Sequence, residues 1–366
     1  TIIINVKEVT SYGNSDGTSI FYALEKTSDG NLIAGGWGYI YDGPNGGFLV
    51  KYDTSANIIW EIPIADQRFR DIRKIRHTSD DGFILIGPGS FYKTDGNGNI
   101  EWEYDSPSDK SLADVTQTSD GNFVYVGNYH PSSGASDVHM TKFNSNGTEL
   151  WSKTFGSNES ERAFVVIEMS NGDLAMGAST RGFGAVDEDF YVVKTDSNGE
   201  TIFQRIWGTG GSDEVYDMYE NSNGNIILTG HYSNGFSIYI AEMDSNSNIV
   251  WQATPYGAKT HGVKVIKPTL DGGFIVVGSE DTTNPYMQYD ILVVKADGSG
   301  NFEWSRLFGL GNSPSQNDYG LAVACLDDGS YVIAGETTSY GDVINSEGNY
   351  APNAILIFLD SNGNEL

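Results

Sequence analysis

Residues 269–304 read TLDGGFIVVGSEDTTNPYMQYDILVVKADGSGNFEW, and this stretch contains the pattern that decides the fold. The Asp271-Gly272 pair precedes a short apolar run that ends at Gly278, and a second apolar run ends at another glycine-rich turn. A large aromatic residue, Trp304, follows that second turn. Short apolar runs bounded by Asp-Gly and similar pairs are typical of antiparallel strands joined by tight turns. The stretch therefore predicts strands separated alternately by tight turns and by one longer connection.

The same pattern occurs seven times, on average about 50 residues apart. Its first turn lies at Asp29-Gly30, Asp81-Gly82, Asp120-Gly121, Asn171-Gly172, Asn223-Gly224, Asp271-Gly272 and Asp328-Gly329. Each copy predicts four antiparallel strands, A to D, with tight A–B and C–D turns and a variable B–C loop. Such a repeat buries its apolar faces only against its neighbours, as the blades of a β-propeller do. We therefore predict an all-β, seven-bladed β-propeller.

The first and last copies complement each other. In six copies a large aromatic residue comes seven residues after the second turn, but the chain ends at Leu366 before this position is reached after Asp360. Residues 2–9 precede the first copy, and we expect them to supply the outer strand of the last blade, which closes the ring and removes an exposed edge. The prediction is one domain, residues 1–366, with blades at approximately 16–62, 68–105, 110–155, 161–207, 213–256, 261–308 and 318–366 plus 2–9.

Composition excludes several classes of partner. The net charge is −28, with 21 Lys and Arg against 49 Asp and Glu, so the surface repels nucleic acid and anionic lipid. No apolar segment approaches the roughly 20 residues of a membrane-spanning helix. The single cysteine, Cys325, excludes an intrachain disulfide. We expect no nucleic-acid partner and no membrane span, and composition leaves the oligomeric state open.

The repeat resembles one that is widespread in secreted archaeal and bacterial surface proteins. The resemblance rests on Thr-Ser-Asp-Gly-Asn at the first turn, on Asp-x-x-Val-Val-Lys at 189–194 and 290–295, and on Asp-x-x-Gly-Asn-x-x-Trp at the second turn. It implies an extracellular or cell-surface location and an adhesive or surface role without assigned chemistry. This chain departs from the pattern where Glu242 and Phe358 replace the Lys and where Phe203 replaces the Trp.

The second turn also resembles the Asp-box of sialidases and the aspartate–tryptophan repeat of quinoprotein propellers, where the element is scaffold. We interpret it here in the same way, with the acidic residue bonding turn amides and the aromatic residue packing between blades. Residues 95–99, Asp-Gly-Asn-Gly-Asn, alternate oxygen ligands like the start of a calcium loop, but no copy has a full calcium-binding set. We predict no cofactor, with calcium as the open alternative.

Two other clusters have a catalytic and a structural interpretation. Arg68, Arg70, Arg73 and Arg76 lie close together in sequence, and a sialidase-like enzyme needs arginines to bind a carboxylate, but those come from different blades. We therefore expect ion pairs with Asp71 and neighbouring blades. The histidines show no metal-binding spacing, although His130 and His231 are expected at equivalent places after their B strands.

Function is expected at the variable B–C loops, because rigid scaffolds usually carry their binding residues on such loops. Aromatic rings beside carboxylates suit sugars and protein partners alike. The leading hypothesis is a non-catalytic module that binds a glycan or a surface protein; the alternatives are a glycan-active hydrolase or lyase, and a structural subunit of a surface layer or fibre. We assign no catalytic residue, and the candidate ligand-binding residues are Trp37, Tyr39, Tyr41, Tyr129, His130, Arg181, Phe183, His231, Tyr232, Tyr286, Tyr289, Tyr340 and Tyr350.

Overall fold

The computed structural model describes residues 18–38, 46–64, 70–132, 134–232, 237–254, 260–281, 288–309, 317–338 and 352–366. Within these ranges the regular secondary structure is entirely β, and it contains no helix of the length and apolarity needed to cross a membrane. The strands are β1 (Ser19–Lys26), β2 (Leu32–Gly38), β3 (Gly46–Tyr52), β4 (Ile58–Ile64), β5 (Lys74–His77), β6 (Phe83–Ile86), β7 (Ser90–Thr94), β8 (Ile100–Asp105), β9 (Lys110–Gln117), β10 (Phe123–Tyr129), β11 (Asp137–Phe143), β12 (Glu149–Phe155), β13 (Glu161–Glu168), β14 (Leu174–Thr180), β15 (Asp189–Thr195), β16 (Thr201–Trp207), β17 (Glu214–Glu220), β18 (Ile226–Tyr232), β19 (Ser237–Met243), β20 (Ile249–Ala253), β21 (Thr260–Pro268), β22 (Phe274–Asp281), β23 (Tyr289–Ala296), β24 (Phe302–Phe308), β25 (Asp318–Cys325), β26 (Tyr331–Thr337) and β27 (Asn353–Leu359).

The strands form seven sheets, one for each predicted repeat. Six sheets have four strands joined in sequence order, from β1-β2-β3-β4 to β21-β22-β23-β24, and the seventh is β25-β26-β27. The fold is the predicted seven-bladed β-propeller, and the sheets are numbered here as blades 1 to 7. The predicted closing strand at 2–9 lies outside the described residues.

The chain divides into two compact units. The first contains Thr1–His77 and Lys259–Leu366, and the second contains Thr78–Ala258. Within each unit the hydrophobic core lies between neighbouring sheets. In the second unit, for example, Val126 and Met140 of blade 3 pack with Ala163 and Met176 of blade 4.

Burial follows strand position within a blade. Second strands such as β14 are buried along their whole length, because their two faces pack against neighbouring sheets. Fourth strands such as β12 alternate between exposed and partly buried residues. This difference explains why apolar runs mark the B and C strands in the sequence, whereas a single aromatic residue marks strand D.

Most first strands contain a β-bulge, which in blade 5 explains the glycine that ends the apolar run. The register of β17 against β18 shifts between Val215 and Asp217, so Tyr216 is the extra residue. A Cβ atom added at Gly230 would lie only 1.9 Å from the carbonyl oxygen of Glu214. Glycine is required here because the bulged backbone comes too close for a side chain.

Candidate functional site

The two ends of each blade differ in chemistry. We call the end that carries the A–B and C–D turns, such as residues 118–122 and 144–148 in blade 3, the turn end. The opposite end, which carries the B–C and D–A connections such as 130–136 and 156–160, is called the loop end. Sequence analysis places function at the loop end, and each end is therefore described in turn.

The C–D turns at the turn end are closed by their own first residue. The Asp95 carboxylate accepts hydrogen bonds from the backbone N–H groups of Asn97 and Asn99, both at 2.9 Å, and from the Asn99 side chain at 2.8 Å. The Asn99 side chain, above all, holds the pKa of Asp95 below its usual range. Among the described residues no three or more His, Cys, Asp or Glu side chains are arranged to hold a metal ion. The oxygens proposed for calcium thus serve the tight turn. The same backbone bonds close the turns that begin at Asp53, Asn144, Asp196, Asp244, Asp297 and Asp360.

The strand D tryptophans pack against the C–D turn of the next blade. Gly199 has a φ of +79°, and a Cβ atom added there would lie 3.0 Å from the ring of Trp151 in the preceding blade. Gly147 contacts Trp102 in the same way, and Gly363 contacts Trp304. The repeated tryptophan therefore is scaffold between blades, as the sequence interpretation held.

An ion pair between a buried lysine and a half-exposed aspartate joins the end of strand C to the A–B turn. The Lys142 ammonium lies 2.8 Å from Asp120, and the equivalent bond in blade 6 joins Lys295 and Asp271 at 2.9 Å. Adjacent blades of the second unit are joined at the same end, where the Glu168 carboxylate accepts the backbone N–H of Ser119 at 2.6 Å. The charged groups in these contacts therefore hold turns and neighbouring blades together at the turn end.

Paired carboxyl groups lie at the loop end, where they hold D–A connections. A Cβ atom added at Gly156 would lie 2.2 Å from Asp137 Oδ1 and 2.6 Å from Glu161 Oε2, so these two groups meet above the glycine. Glu161 is 3% exposed and accepts hydrogen bonds from the hydroxyls of Ser157 and Thr180 at 2.8 and 2.7 Å. Burial, with the charge of Asp137 as a further cause, raises the pKa of Glu161.

The carboxyl pair recurs in the next blade, which argues for a structural role. Asp189 and Asp213 flank Gly208 in the same way, and Asp213 accepts the backbone N–H of Thr209 at 2.5 Å. Burial, followed by the charge of Asp213, raises the pKa of Asp189. Because Asp213 is fully buried and bonded to its own loop, this pair positions the chain and is not open to a substrate.

A cluster of polar and aromatic side chains occupies the loop end of blades 4 and 5. The Tyr216 hydroxyl donates to the Glu214 carboxylate and lies 3.1 Å from His231 Nδ1. The Tyr216 ring lies 5.0 Å from that of Phe164, and the Arg162 guanidinium lies over Phe164 at 5.0 Å. We call these five residues, Arg162, Phe164, Glu214, Tyr216 and His231, the Tyr216 cluster.

The fold brings the cluster together through strand register. Glu214 of β17 is directly opposite His231 of β18, and Tyr216 is the bulged residue that follows Glu214. Arg162 and Phe164 lie on β13, the first strand of blade 4, which packs against β17. Bulges commonly re-aim side chains next to functional sites. The close contact of two first strands thus sets two aromatic rings beside three ionisable groups.

The cluster combines a buried acidic centre with an exposed cation. The side chains of Glu214 and His231 are 13% and 17% exposed, whereas that of Arg162 is 62% exposed and its ion pair with Glu214 is long, at 3.8 Å. Burial, followed by the nearby Glu214 charge, raises the pKa of Tyr216, so its hydroxyl stays protonated and acts as a donor. The arrangement offers ring faces for stacking and both donors and acceptors for hydroxyl or carboxylate groups.

Eight of the thirteen residues predicted from sequence are described, and one of them, His231, belongs to the Tyr216 cluster. Arg181 pairs with Glu188 at 3.3 Å, and the charge of Glu188 contributes to the raised pKa of Tyr216. Phe183 is half exposed with its ring 5.6 Å from that of Tyr191. The other five lie outside the described residues: Tyr39, Tyr41, Tyr286, Tyr340 and Tyr350.

The remaining described candidates lie in or at the end of strands. Tyr232 stacks on Tyr239 at 5.3 Å and packs against the core between blades 4 and 5. Tyr129 ends β10, and Trp37 and Tyr289 are partly buried in β2 and β23. These four residues stay predicted ligand contacts.

Two expectations about charged residues have different outcomes. The predicted equivalence of His130 and His231 is wrong: His231 directly follows the glycine of its B strand, whereas His130 lies three residues beyond Gly127, outside β10, and contacts Ser136 at 2.8 Å. The predicted ion pairs of the arginine group are confirmed for Arg73 with Asp71, at 3.1 Å, and for Arg76 with Glu25, at 3.5 Å; Arg68 lies outside the described residues.

Sequence reasoning missed the four first-strand members of the cluster, Arg162, Phe164, Glu214 and Tyr216. The predicted ligand-binding residues came from the B–C loops, because variable loops on a rigid scaffold usually carry binding residues. One signal was present: the residue after the B-strand glycine varies, from Asn128 after Gly127 to His231 after Gly230. In blade 5 that position is directly opposite Glu214, which lies two residues before the bulged Tyr216.

Comparison with known proteins supports the fold alone. No protein-family model matches the chain, and no curated protein matches it. A streptogramin B lyase structure is 11% identical with a TM-score of 0.60, covering 97% of this chain and 98% of that one. A catalytically inactive variant of virginiamycin B lyase from Staphylococcus aureus, in a structure with quinupristin, is 10% identical with a TM-score of 0.62, covering 96% and 99%. The Pan2 WD40 domain of Neurospora crassa is 13% identical with a TM-score of 0.56, covering 92% and 88%. The chain is therefore similar in fold to propellers of unrelated functions.

Proposed function

We propose that the protein is a non-catalytic binding module that recognises a carbohydrate through the Tyr216 cluster. One observation carries the proposal: the cluster sets the rings of Phe164 and Tyr216 beside Arg162, Glu214 and His231. Sugar rings present C–H faces that pack on aromatic rings, and their hydroxyls need donors and acceptors in fixed positions. The turn end offers no comparable group, because its described charges close turns and join blades.

The exposed arginine favours an acidic sugar. Arg162 rests on Phe164 and has only a long ion pair with Glu214, so most of its donors face solvent. A guanidinium matches the two oxygens of a carboxylate, and its planar group loses little entropy on binding. A uronic acid or another carboxylated sugar fits this combination.

A glycan array tests the proposal. Wild-type protein is expected to bind a set of carboxylated glycans, and Arg162→Ala and Tyr216→Ala are expected to lose at least about tenfold in affinity, since each removes a central contact. Arg205→Ala is the matched control, because Arg205 is an exposed arginine on β16, the outer strand of blade 4. An array on which wild type binds nothing, or on which Arg162→Ala binds like Arg205→Ala, would sink the carbohydrate proposal.

A glycan-active lyase or hydrolase is the second candidate. It is favoured by the Tyr216 hydroxyl, which lies between Glu214 and His231 as an acid or base would. Some propellers of similar fold are lyases, but at 10–11% identity that likeness extends to the fold only. Prolonged incubation with each glycan bound on the array, followed by mass spectrometry, distinguishes the two functions. Cleavage that Tyr216→Phe abolishes would replace the binding proposal.

The proposed role includes an extracellular or cell-surface location, where an adhesive module meets glycans. Protease treatment of intact source cells, followed by detection with an antibody, tests this location. Loss of the protein signal while a cytosolic marker survives is expected. Full protection would place the protein inside the cell.

A further inference from the structure

A second aromatic and acidic cluster lies in the first unit and shares no residue with the Tyr216 cluster. Tyr319 of β25 is directly opposite Glu336 of β26 in the antiparallel register, so both side chains leave the sheet on the same face. The Tyr289 ring lies 5.5 Å from that of Tyr319. Tyr22 is the bulged residue of β1, which packs against both β25 and β26.

The charge of Glu336 contributes to the raised pKa of both Tyr22 and Tyr319. Burial, followed by the charge of Glu336, raises the pKa of Tyr22 and raises that of Tyr319 to about 12. Two further charges act on the pKa of Tyr22: Asp71 raises it and Arg73 lowers it. Asp71 and Arg73 pair with each other at 3.1 Å. The charge of Arg73 is therefore already used within that pair.

Glu336 is a partly buried carboxyl group without a partner among the described residues. It makes no hydrogen bond or ion pair with any residue in the part of the chain that the structure describes. Burial, followed by the charge of the neighbouring Asp318, raises the pKa of Glu336 to about 7. Removing a carboxylate from water without a partner is costly, so the group is poised to accept a compensating cation.

We propose that Tyr22, Tyr319 and Glu336 form a binding site for an organic ammonium group, such as a lysine side chain or a quaternary amine. Tyrosine faces attract ammonium groups through their quadrupole, and a carboxylate completes such a site. The net charge of −28 adds long-range attraction for a cation. A metal ion fits less well, because among the described residues no three acidic or histidine ligands converge.

The site predicts its own pH dependence. A bound ammonium favours the ionised form of Glu336, so affinity is expected to fall as the pH drops below about 7 and to level off above it. Asp318, whose charge contributes to the raised pKa of Glu336, lies directly opposite Thr337 and accepts a hydrogen bond from the Thr337 hydroxyl, which keeps it engaged with the scaffold.

Calorimetric titration of the whole protein tests the site with three probes: choline, its neutral carbon analogue 3,3-dimethyl-1-butanol, and N-acetyl-lysine methylamide. At least one cationic probe is expected to bind about tenfold or more tightly than the neutral analogue, as one to two kcal/mol of cation–π and charge attraction implies. Preference for the lysine derivative indicates a basic protein partner, and preference for choline indicates a quaternary amine; either supports the proposal.

Variants separate the site from general effects of charge. Glu336→Gln and Tyr319→Leu are expected to lose cation binding, whereas Tyr319→Phe keeps the ring and retains it. Glu61→Gln on the exposed face of β4 removes the same charge elsewhere in the first unit and serves as control. Melting curves confirm that each variant is folded. Equal binding of choline and its neutral analogue, unchanged cation affinity in Glu336→Gln, or no binding of either cation by wild type at millimolar concentration overturns the proposal, and none of these results bears on the glycan array.

Discussion

The Glu242 carboxylate accepts a hydrogen bond from the side-chain amide of Asn225 at 2.7 Å and a second from Asn221 at 3.0 Å. In the preceding blades the same strand position holds Lys142 or Lys194, which pairs with an acidic residue of the A–B turn. Blade 5 has thus exchanged donor and acceptor. An anion at the end of strand C is matched by amide donors on the turn, so the departure from the repeat is compensated locally.

Glu242→Lys is expected to destabilise the protein by about 2 kcal/mol, because the new ammonium meets the amides of Asn221 and Asn225 without a carboxylate. Asn223 stands where Asp120 stands in blade 3, so adding Asn223→Asp is expected to recover much of the loss. Denaturant unfolding of the single and double variants measures the coupling. Glu149→Lys, at an exposed position on β12, is the control for charge alone. Additive effects of the two substitutions would contradict the exchange.

Gly199→Ala is expected to cost more than Gly172→Ala. Both glycines have positive φ, +79° and +83°, so both variants carry the same backbone penalty of about 1 kcal/mol. An added Cβ at Gly199 also meets the Trp151 ring at 3.0 Å, whereas nothing lies within 4 Å at Gly172. The difference between their unfolding free energies therefore measures the contact between blades 3 and 4. Equal losses would mean that the ring moves aside freely.

The propeller architecture could be predicted from the sequence because the same strand-and-turn pattern recurs in seven copies. The turn at Asp95 and the aromatic at Trp102 each recur at fixed spacing, and both prove to be local or nearest-neighbour scaffold contacts. Such contacts depend on a few adjacent residues, so their pattern can be recognised in the sequence alone. By contrast, Glu242 in place of the usual lysine had no explanation in the sequence, because its partners Asn221 and Asn225 could not be told apart from ordinary turn residues.

The candidate sites were less accessible, because they arise where two strands from different repeats meet. Tyr216 is a member of a cluster only because a bulge shifts the register of β17, and Arg162 reaches it from the preceding blade. The Tyr319–Glu336 pair depends on the register of β25 and β26 within blade 7, and Tyr22 joins it from the first strand of blade 1. A sequence shows neither register nor the contact between first strands, so these residues read as ordinary strand positions.

Lys295→Met is expected to destabilise the protein by about 2 kcal/mol. The Lys295 side chain is 1% exposed and its ammonium lies 2.9 Å from Asp271 and 2.8 Å from Glu303, so the substitution leaves two carboxylates without their cation. Lys153→Met is the matched control, because Lys153 pairs with Glu200 at an exposed site and is expected to cost less than about 1 kcal/mol. Urea unfolding at neutral pH compares the two. A loss no larger than that of the control would show that the turn-end ion pairs do little for stability.

His139 is expected to make the free energy of unfolding decrease at acidic pH. Its ring is fully buried beside Tyr125, with centroids 4.9 Å apart, and neither ring nitrogen has a hydrogen-bond partner in the described structure. Burial, followed by the charge of Lys110, lowers the pKa of His139 to about 3. An unfolded histidine takes up a proton below about pH 6.5, whereas the folded one does so only near pH 3, so stability falls as pH drops through that window. His139→Leu is expected to remove up to a few kcal/mol of this acid sensitivity, whereas His130→Leu, which removes only a minor charge effect on His139, is expected to change it far less. Unfolding free energies of the three proteins between pH 7 and pH 4 measure the effect, and parallel curves for wild type and His139→Leu would show that His139 is protonated or hydrated in the fold.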